Sequence, residues 1–331
     1  VTAVLAFLAA GLVVVAAAVA LARYADQIAE ATGLGRIWIG SVLLAAATSL
    51  PEAATDVAAV RLGAPDLAAG DLFGSSMANM LILGVLDLLS PRSQLLRRAA
   101  PDHALSAALA ISLNALAALF VISRPTATVF GLGVESVLLL VLYLAGTRAL
   151  YRHSLRERPL PMESVEECGG ARPLRVAVAG FGTAALAILL AAPVFAWSAQ
   201  RIAEMTGLGT TFIGTLLVGL STSLPELVAS IAAVRAGALD LAVGNLFGSN
   251  ALNMALFFVL SAAQPGQAFF AGLQPEHALS GMLAVILMGL GLAAVVYKAE
   301  RRDTRIGRDG ALIVVTYVLG VWLLFTRAVG S

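Results

Sequence analysis

Little of this sequence is charged. Asp, Glu, Lys and Arg make up 12% of its 331 residues, against about 25% in soluble domains. Too few polar side chains remain to clothe a water-facing surface, so most of the exterior must face lipid. The single cysteine, Cys168, excludes an internal disulfide and cannot build a thiolate metal cluster alone. It reads as an incidental thiol in a polar loop. A formal net charge of +1 gives no reason to expect nucleic acid as a partner. No catalytic triad, phosphate loop or nucleotide motif occurs. The chain is therefore not expected to be an enzyme, an ATP-driven pump or the holder of a resident cofactor, and no protein partner is expected.

What is abundant is apolar sequence, 60% of the chain. Ten apolar runs have the length that spans a bilayer as helix: about 4–22, 37–60, 67–90, 103–122, 127–149, 175–197, 211–234, 241–262, 277–297 and 311–327. The first has no basic segment before it and reads as a span, not a cleaved signal. In lipid such runs must be helical, because every backbone polar group needs an internal partner. The expected fold is an all-α membrane protein of ten transmembrane helices.

The sequence also repeats itself. A shift of 174 residues aligns Ile28–Ser106 with Ile202–Ser280 without a gap, and 39 of the 79 positions are identical. TSLPE at Thr48 returns at Thr222, and PDHALS at Pro101 returns as PEHALS at Pro275. Each half holds five spans, an odd number, so the second half enters the membrane from the opposite side, as in many secondary transporters. The expected organisation is a first repeat over 1–150, a cytoplasmic linker over 151–174 and a second repeat over 175–331. The linker carries Glu163, Glu166 and Glu167 without the spacing of a calcium-binding loop, so it reads as a solvated connection.

Basic residues set the orientation. Of the 21 Lys and Arg, 17 fall in loops on one side, and only Arg61, Arg124, Arg201 and Arg327 fall on the other. The richer side is expected to be cytoplasmic, with both termini outside and the chain in the inner (plasma) membrane. A cysteine introduced near either terminus should react with an impermeant thiol reagent in intact cells. Labelling confined to inverted vesicles would reverse the topology.

Charge within a span costs about 2.5–3.5 kcal/mol at the helix centre on insertion scales. Two glutamates nevertheless lie deep in apolar runs, Glu52 and Glu226. Each follows a proline, Pro51 or Pro225, and each is preceded by hydroxyls, Thr48 and Ser49 or Thr222 and Ser223. Proline withdraws one N–H from the helix, which loosens carbonyls near Ala47 and Thr48, and near Ser221 and Thr222. Carboxylate, hydroxyls and loosened carbonyls form an all-oxygen ligand set, which suits hard cations such as Ca²⁺ and Na⁺. The following spans open with small residues, Gly70, Gly74, Ser75 and Ser76 in one half and Gly244, Gly248 and Ser249 in the other. These permit close helix approach. Asn79 and Asn253 lie one turn further on, each needing a partner at that depth. His103 and His277, each beside a proline–acid pair, read as helix-start chemistry. Asp66 and Asp240 read as caps.

These residues resemble the sodium/calcium exchanger branch of the cation/calcium exchanger superfamily. That family carries two inverted repeats with motifs close to GTSLPE and GNxxGSNxxN. Here they stand as ATSLPE at Ala47 with GDLFGSSMAN at Gly70, and STSLPE at Ser221 with GNLFGSNALN at Gly244. The resemblance implies a Ca²⁺ site at mid-membrane between the halves, with Glu52 and Glu226 as main ligands and help from backbone oxygens of Thr48 and Thr222. It implies flanking Na⁺ sites using Ser49, Ser223, Ser75 and Ser249 with carbonyls near Ala45 and Gly219. Asn79 and Asn253 complete the central layer, and spans 1 and 6 slide past the rest. The first half departs from the pattern with Asp71 and Ser76 where the family has Asn. The transported ions would be Ca²⁺ and Na⁺. The rival readings are a Ca²⁺/H⁺ exchanger, whose relatives usually carry a GNxxE-type first motif, and a cation channel, which would usually place its symmetry around an axial pore.

Overall fold

The structure, a computed structural model, describes residues 2–89, 95–98, 102–156, 173–205, 222–299 and 308–330. The described chain is almost wholly helical. In order it forms α1 (Thr2–Thr32), α2 (Arg36–Arg61), α3 (Pro65–Leu89), a short α4 (Leu95–Arg98), α5 (His103–Ser123), α6 (Val134–Arg156), α7 (Leu174–Met205), α8 (Leu224–Arg235), α9 (Leu239–Ala263), α10 (His277–Ala299) and α11 (Arg308–Gly330). Among the described residues nine helices are long and apolar enough to cross a membrane. The seventh expected span is described only from Thr222 onward, so its first part lies outside the described residues. So do Cys168, the three linker glutamates and Gly219.

The 174-residue offset extends beyond the segment where the sequence showed it. Adding it to the limits of α3, 65 and 89, gives 239 and 263, the limits of α9. Adding it to 134 and 156, the limits of α6, gives 308 and 330, the limits of α11. The duplication thus reaches the last described helix of each half. Helix α6 differs from its expected span of 127–149 at both ends. Residues 128–133 form a two-strand hairpin, Thr128–Val129 with Leu132–Gly133, in antiparallel register Val129↔Leu132. Positive φ at Phe130 (52°) and Gly131 (77°) makes the tight turn that such hairpins prefer.

Two apolar clusters hold the helices. The smaller joins α1 and α7 to parts of α2, α8 and α9. Helix α1 offers a narrow alanine-rich stripe at helical spacing, Ala10, Val14, Ala17, Ala18, Leu21 and Ala25, while Leu5, Leu8 and Leu12 stay exposed toward lipid. The larger cluster joins α3, α5, α6, α9, α10 and α11, with phenylalanines 73, 257, 269 and 270 at its centre. Helices α2 and α8 contribute apolar side chains to both clusters. Glu52 and Glu226 therefore stand on helices that contact both clusters.

Cross-links between the halves fall where capping was expected. His103 Nε2 lies 3.0 Å from Asp240 Oδ1, and His277 Nε2 lies 3.0 Å from Asp66 Oδ1. Asp66 also accepts from the backbone N–H of Gln274 at 2.8 Å. The capping reading is corrected accordingly: each aspartate keeps its place in a first helical turn but ties its helix to the opposite half. Local sequence is the same for both roles, and only the packed fold separates them.

Candidate cation site

The two TSLPE segments are identical in sequence but not in setting. In the first half the helix runs straight through Pro51, preceded by a π-helical stretch, Ile39–Leu44. In the second half Ser223 breaks the helix (φ −87°, ψ 5°), and Pro225 lies in the first turn of α8. A proline there lacks an N–H that would be unpaired in any case. The two prolines, expected to loosen their helices alike, thus differ: Pro51 lies within a continuous helix and Pro225 just after a break. Glu226 consequently lies in the first turn of α8, where the helix dipole favours an anion.

Both glutamates are buried, Glu52 at 1% and Glu226 at 0% exposure. Ser75 Oγ donates to Glu52 Oε1 at 2.7 Å, joining α3 to α2. Ser49 Oγ, one turn before Glu52, donates to Glu226 Oε1 at 3.3 Å and so crosses between the halves. The other oxygen of each carboxylate, Oε2, is buried with no hydrogen-bond partner. Asn79 donates from Nδ2 to Asn250 Oδ1 at 2.9 Å but leaves its own Oδ1 unpartnered. Asn253 leaves both side-chain polar atoms unpartnered, and Ser249 its Oγ. Thr48 Oγ1 donates toward the carbonyls of Leu44 and Ala45, each at 3.2 Å. Thr222 and Ser223 are buried just before α8.

The four residues expected in the central layer, Glu52, Glu226, Asn79 and Asn253, therefore share one property. Each is buried and each holds at least one oxygen with no donor. Buried polar atoms are normally paired, and leaving one unpaired costs about 1–3 kcal/mol. A cation liganded by these oxygens would remove that cost at all four. Among the described residues no three acidic, histidine or cysteine side chains converge as a metal cluster. A cation here would thus need amide, hydroxyl and backbone oxygens beside the two carboxylates, the mixture that hard ions accept.

Glycines bring α2 against α9. A Cβ on Gly40 would meet Leu241 O at 2.6 Å, and one on Gly244 would meet Ile37 O at 3.0 Å. One on Gly248 would run into the backbone of Ser41. Several residues near the site carried no assigned role in the sequence reading. Asn250 donates to Ser76 O at 3.2 Å, Asn114 donates to Asn250 O at 3.2 Å, and Asn245 donates to Ser230 Oγ at 3.2 Å. Asn250 and Asn245 stand inside the repeated motif, where a buried amide was the available signal. Asp56, at 3% exposure in α2, was signalled only by its charge one turn beyond Glu52.

Known proteins share the sequence pattern and the fold. The family model described as sodium/calcium exchanger protein matches residues 2–151 and 176–326, one block in each half. The inner membrane protein YrbG of Escherichia coli strain K12 is 30% identical over 321 residues, covering 94% of this chain and 93% of that protein. CaxA of Alkalimonas amylolytica, provisionally named an antiporter, is 28% identical over 313 residues, 91% of this chain and 92% of that protein. A solved structure of the sodium-calcium exchanger NCX_Mj, soaked with Na⁺ and Ca²⁺, shares the fold with a TM-score of 0.74 at 21% identity, covering 97% of this chain and 98% of that one.

Proposed function

The chain belongs to the sodium/calcium exchanger protein family, and from that premise we propose that it is a secondary antiporter exchanging Ca²⁺ for Na⁺ by alternating access. The observation that supports this most is the set of donor-less oxygens on Glu52, Glu226, Asn79 and Asn253. Two carboxylates from opposite halves balance one Ca²⁺. Backbone oxygens of Thr48 and Thr222 would assist the two carboxylates in holding Ca²⁺, while the hydroxyls of Ser49, Ser223, Ser75 and Ser249, with the carbonyl near Ala45, would serve Na⁺; the carbonyl expected near Gly219 lies outside the described residues. Alternating access fits helices α2 and α8, which pack on both apolar clusters. Relative movement of the α1–α7 cluster would open the glutamates to one face and then the other. The inner (plasma) membrane, with both termini outside, is the location this reading implies.

The test is ⁴⁵Ca²⁺ uptake into proteoliposomes. An outward Na⁺ gradient should drive Ca²⁺ accumulation, and a pH gradient of matched size should drive several-fold less. The reverse ranking would make the protein a Ca²⁺/H⁺ exchanger. Ca²⁺ flux that proceeds with no counter-ion on the opposite side would make it a channel.

A further inference from the structure

Two carboxylates near the site have no part in the exchange chemistry above. Asp56 lies on α2 one turn beyond Glu52, and Asp71 lies on α3 one turn before Ser75. Both displacements run toward the turn at 62–64 that joins the two helices. Four residues of helix rise about 6 Å, so the pair occupies the next level from Glu52 toward that face. The Ser75–Glu52 hydrogen bond one turn away sets Asp56 and Asp71 at the same level of the α2–α3 pair. Asp56 is 3% exposed, and its Oδ2 has no partner; neither has Asp71 Oδ2. Among the described residues no arginine, lysine or histidine forms an ion pair with either.

The chain carries its own control for this pair. Adding 174 to 56 and 71 gives Ser230 and Asn245. Both are fully buried, and the amide of Asn245 donates to Ser230 Oγ at 3.2 Å. The second half thus fills the position with a neutral donor and acceptor that satisfy each other. The first half fills it with two acceptors and no donor. Like charges this close in an apolar interior repel strongly, and a cation shared between them reverses the sign of the interaction. Oxygen ligands with no His or Cys select a hard ion, and two negative charges match a divalent one.

We propose that Asp56 and Asp71 form a second divalent-cation site, of the Ca²⁺ class, one helical turn from Glu52 toward the 62–64 turn and present in the first half only. Its role as a holding point on the path between that face and the central glutamates rests on the antiport function proposed above; its ability to bind does not. The asymmetry makes the two faces unequal, since the path on the second half's side meets a neutral pair at the same level.

The experiment is equilibrium binding of ⁴⁵Ca²⁺ to the purified full chain. The Glu52→Gln/Glu226→Gln variant should still bind about one Ca²⁺ per chain, and adding Asp56→Ser/Asp71→Asn should remove it. Those two replacements copy the second half's own hydrogen-bonded pair, so the quadruple variant should stay monodisperse on size exclusion. Wild type that binds Ca²⁺ while Glu52→Gln/Glu226→Gln binds none would overturn the second site and leave the antiport reading standing. Absence of binding in every variant, wild type included, would overturn both. In vesicles of both orientations, Asp56→Ser/Asp71→Asn with intact glutamates should raise the KM for Ca²⁺ at least tenfold from the face bearing the 62–64 turn, and leave the other face unchanged. An equal change at both faces, or none at either, would overturn the site's role on that path.

Discussion

Glu52→Gln or Glu226→Gln, made singly, should remove nearly all Na⁺-driven Ca²⁺ uptake from proteoliposomes while leaving a folded protein. Glutamine keeps the shape of glutamate and one acceptor oxygen but loses the charge. A unit charge about 4 Å from another is worth about 4 kcal/mol at an effective dielectric of 20, and a loss of that size weakens binding about a thousandfold. Neither variant should unfold, because each replaces a buried carboxylate that has an oxygen without a donor. Taking such a charge out of the interior tends to stabilise the ion-free state. The checks are uptake rate and a thermal melt on the same preparations. Uptake near that of wild type in both variants would dismiss the two glutamates as the central ligands.

A second substitution should act on the fold and not on the ion. Gly248→Val places a branched side chain where even a Cβ would collide with the backbone of Ser41. Ser41 sits in the π-helical stretch Ile39–Leu44, which approaches α9 closely enough that Gly40 and Gly244 are also needed. Backbone cannot step aside as a flexible side chain can, so the cost should reach or exceed about 3 kcal/mol, the upper part of the usual range for overpacking. The expected result is a large fall in melting temperature or loss of monodisperse protein. Gly182→Ala on α7, with nothing within 4 Å of an added Cβ, is the control. It should be neutral, or stabilising by up to about 1 kcal/mol through helix propensity. A Gly248→Val protein as stable as that control would mean that the close approach of α2 and α9 is not required.

The fold was legible because lipid leaves a chain few options. Apolar runs must be helices, and the repeat at 174 residues pairs them. Glu52, Glu226, Asn79 and Asn253 stood out as candidates for a related reason: each is costly at its depth, and each has a counterpart 174 residues away. What local sequence concealed was whatever depends on neighbours. TSLPE occurs unchanged in both halves, yet Pro51 lies inside a helix and Pro225 at the start of one. The π-helical stretch before Ala45 carries no residue pattern that distinguishes it from ordinary helix. The hairpin before Val134 was absorbed into an apolar run, although Phe130 and Gly131 turn the chain there. Asp56 lay between alanines and valines with no motif around it, and its partner Asp71 is 15 positions away on the next helix.

The crosswise pairs His103–Asp240 and His277–Asp66 are related by the same 174-residue shift. Each half lends a histidine to the other and receives one in return, so the clasp is unchanged when the halves trade places. A single five-helix polypeptide able to insert in either orientation would already own both members of the clasp. Two such copies, facing opposite ways, would lock together at both faces without any residue specialised for the task. Gene fusion would then have had only to tether partners that could already recognise each other, leaving each copy free to diverge.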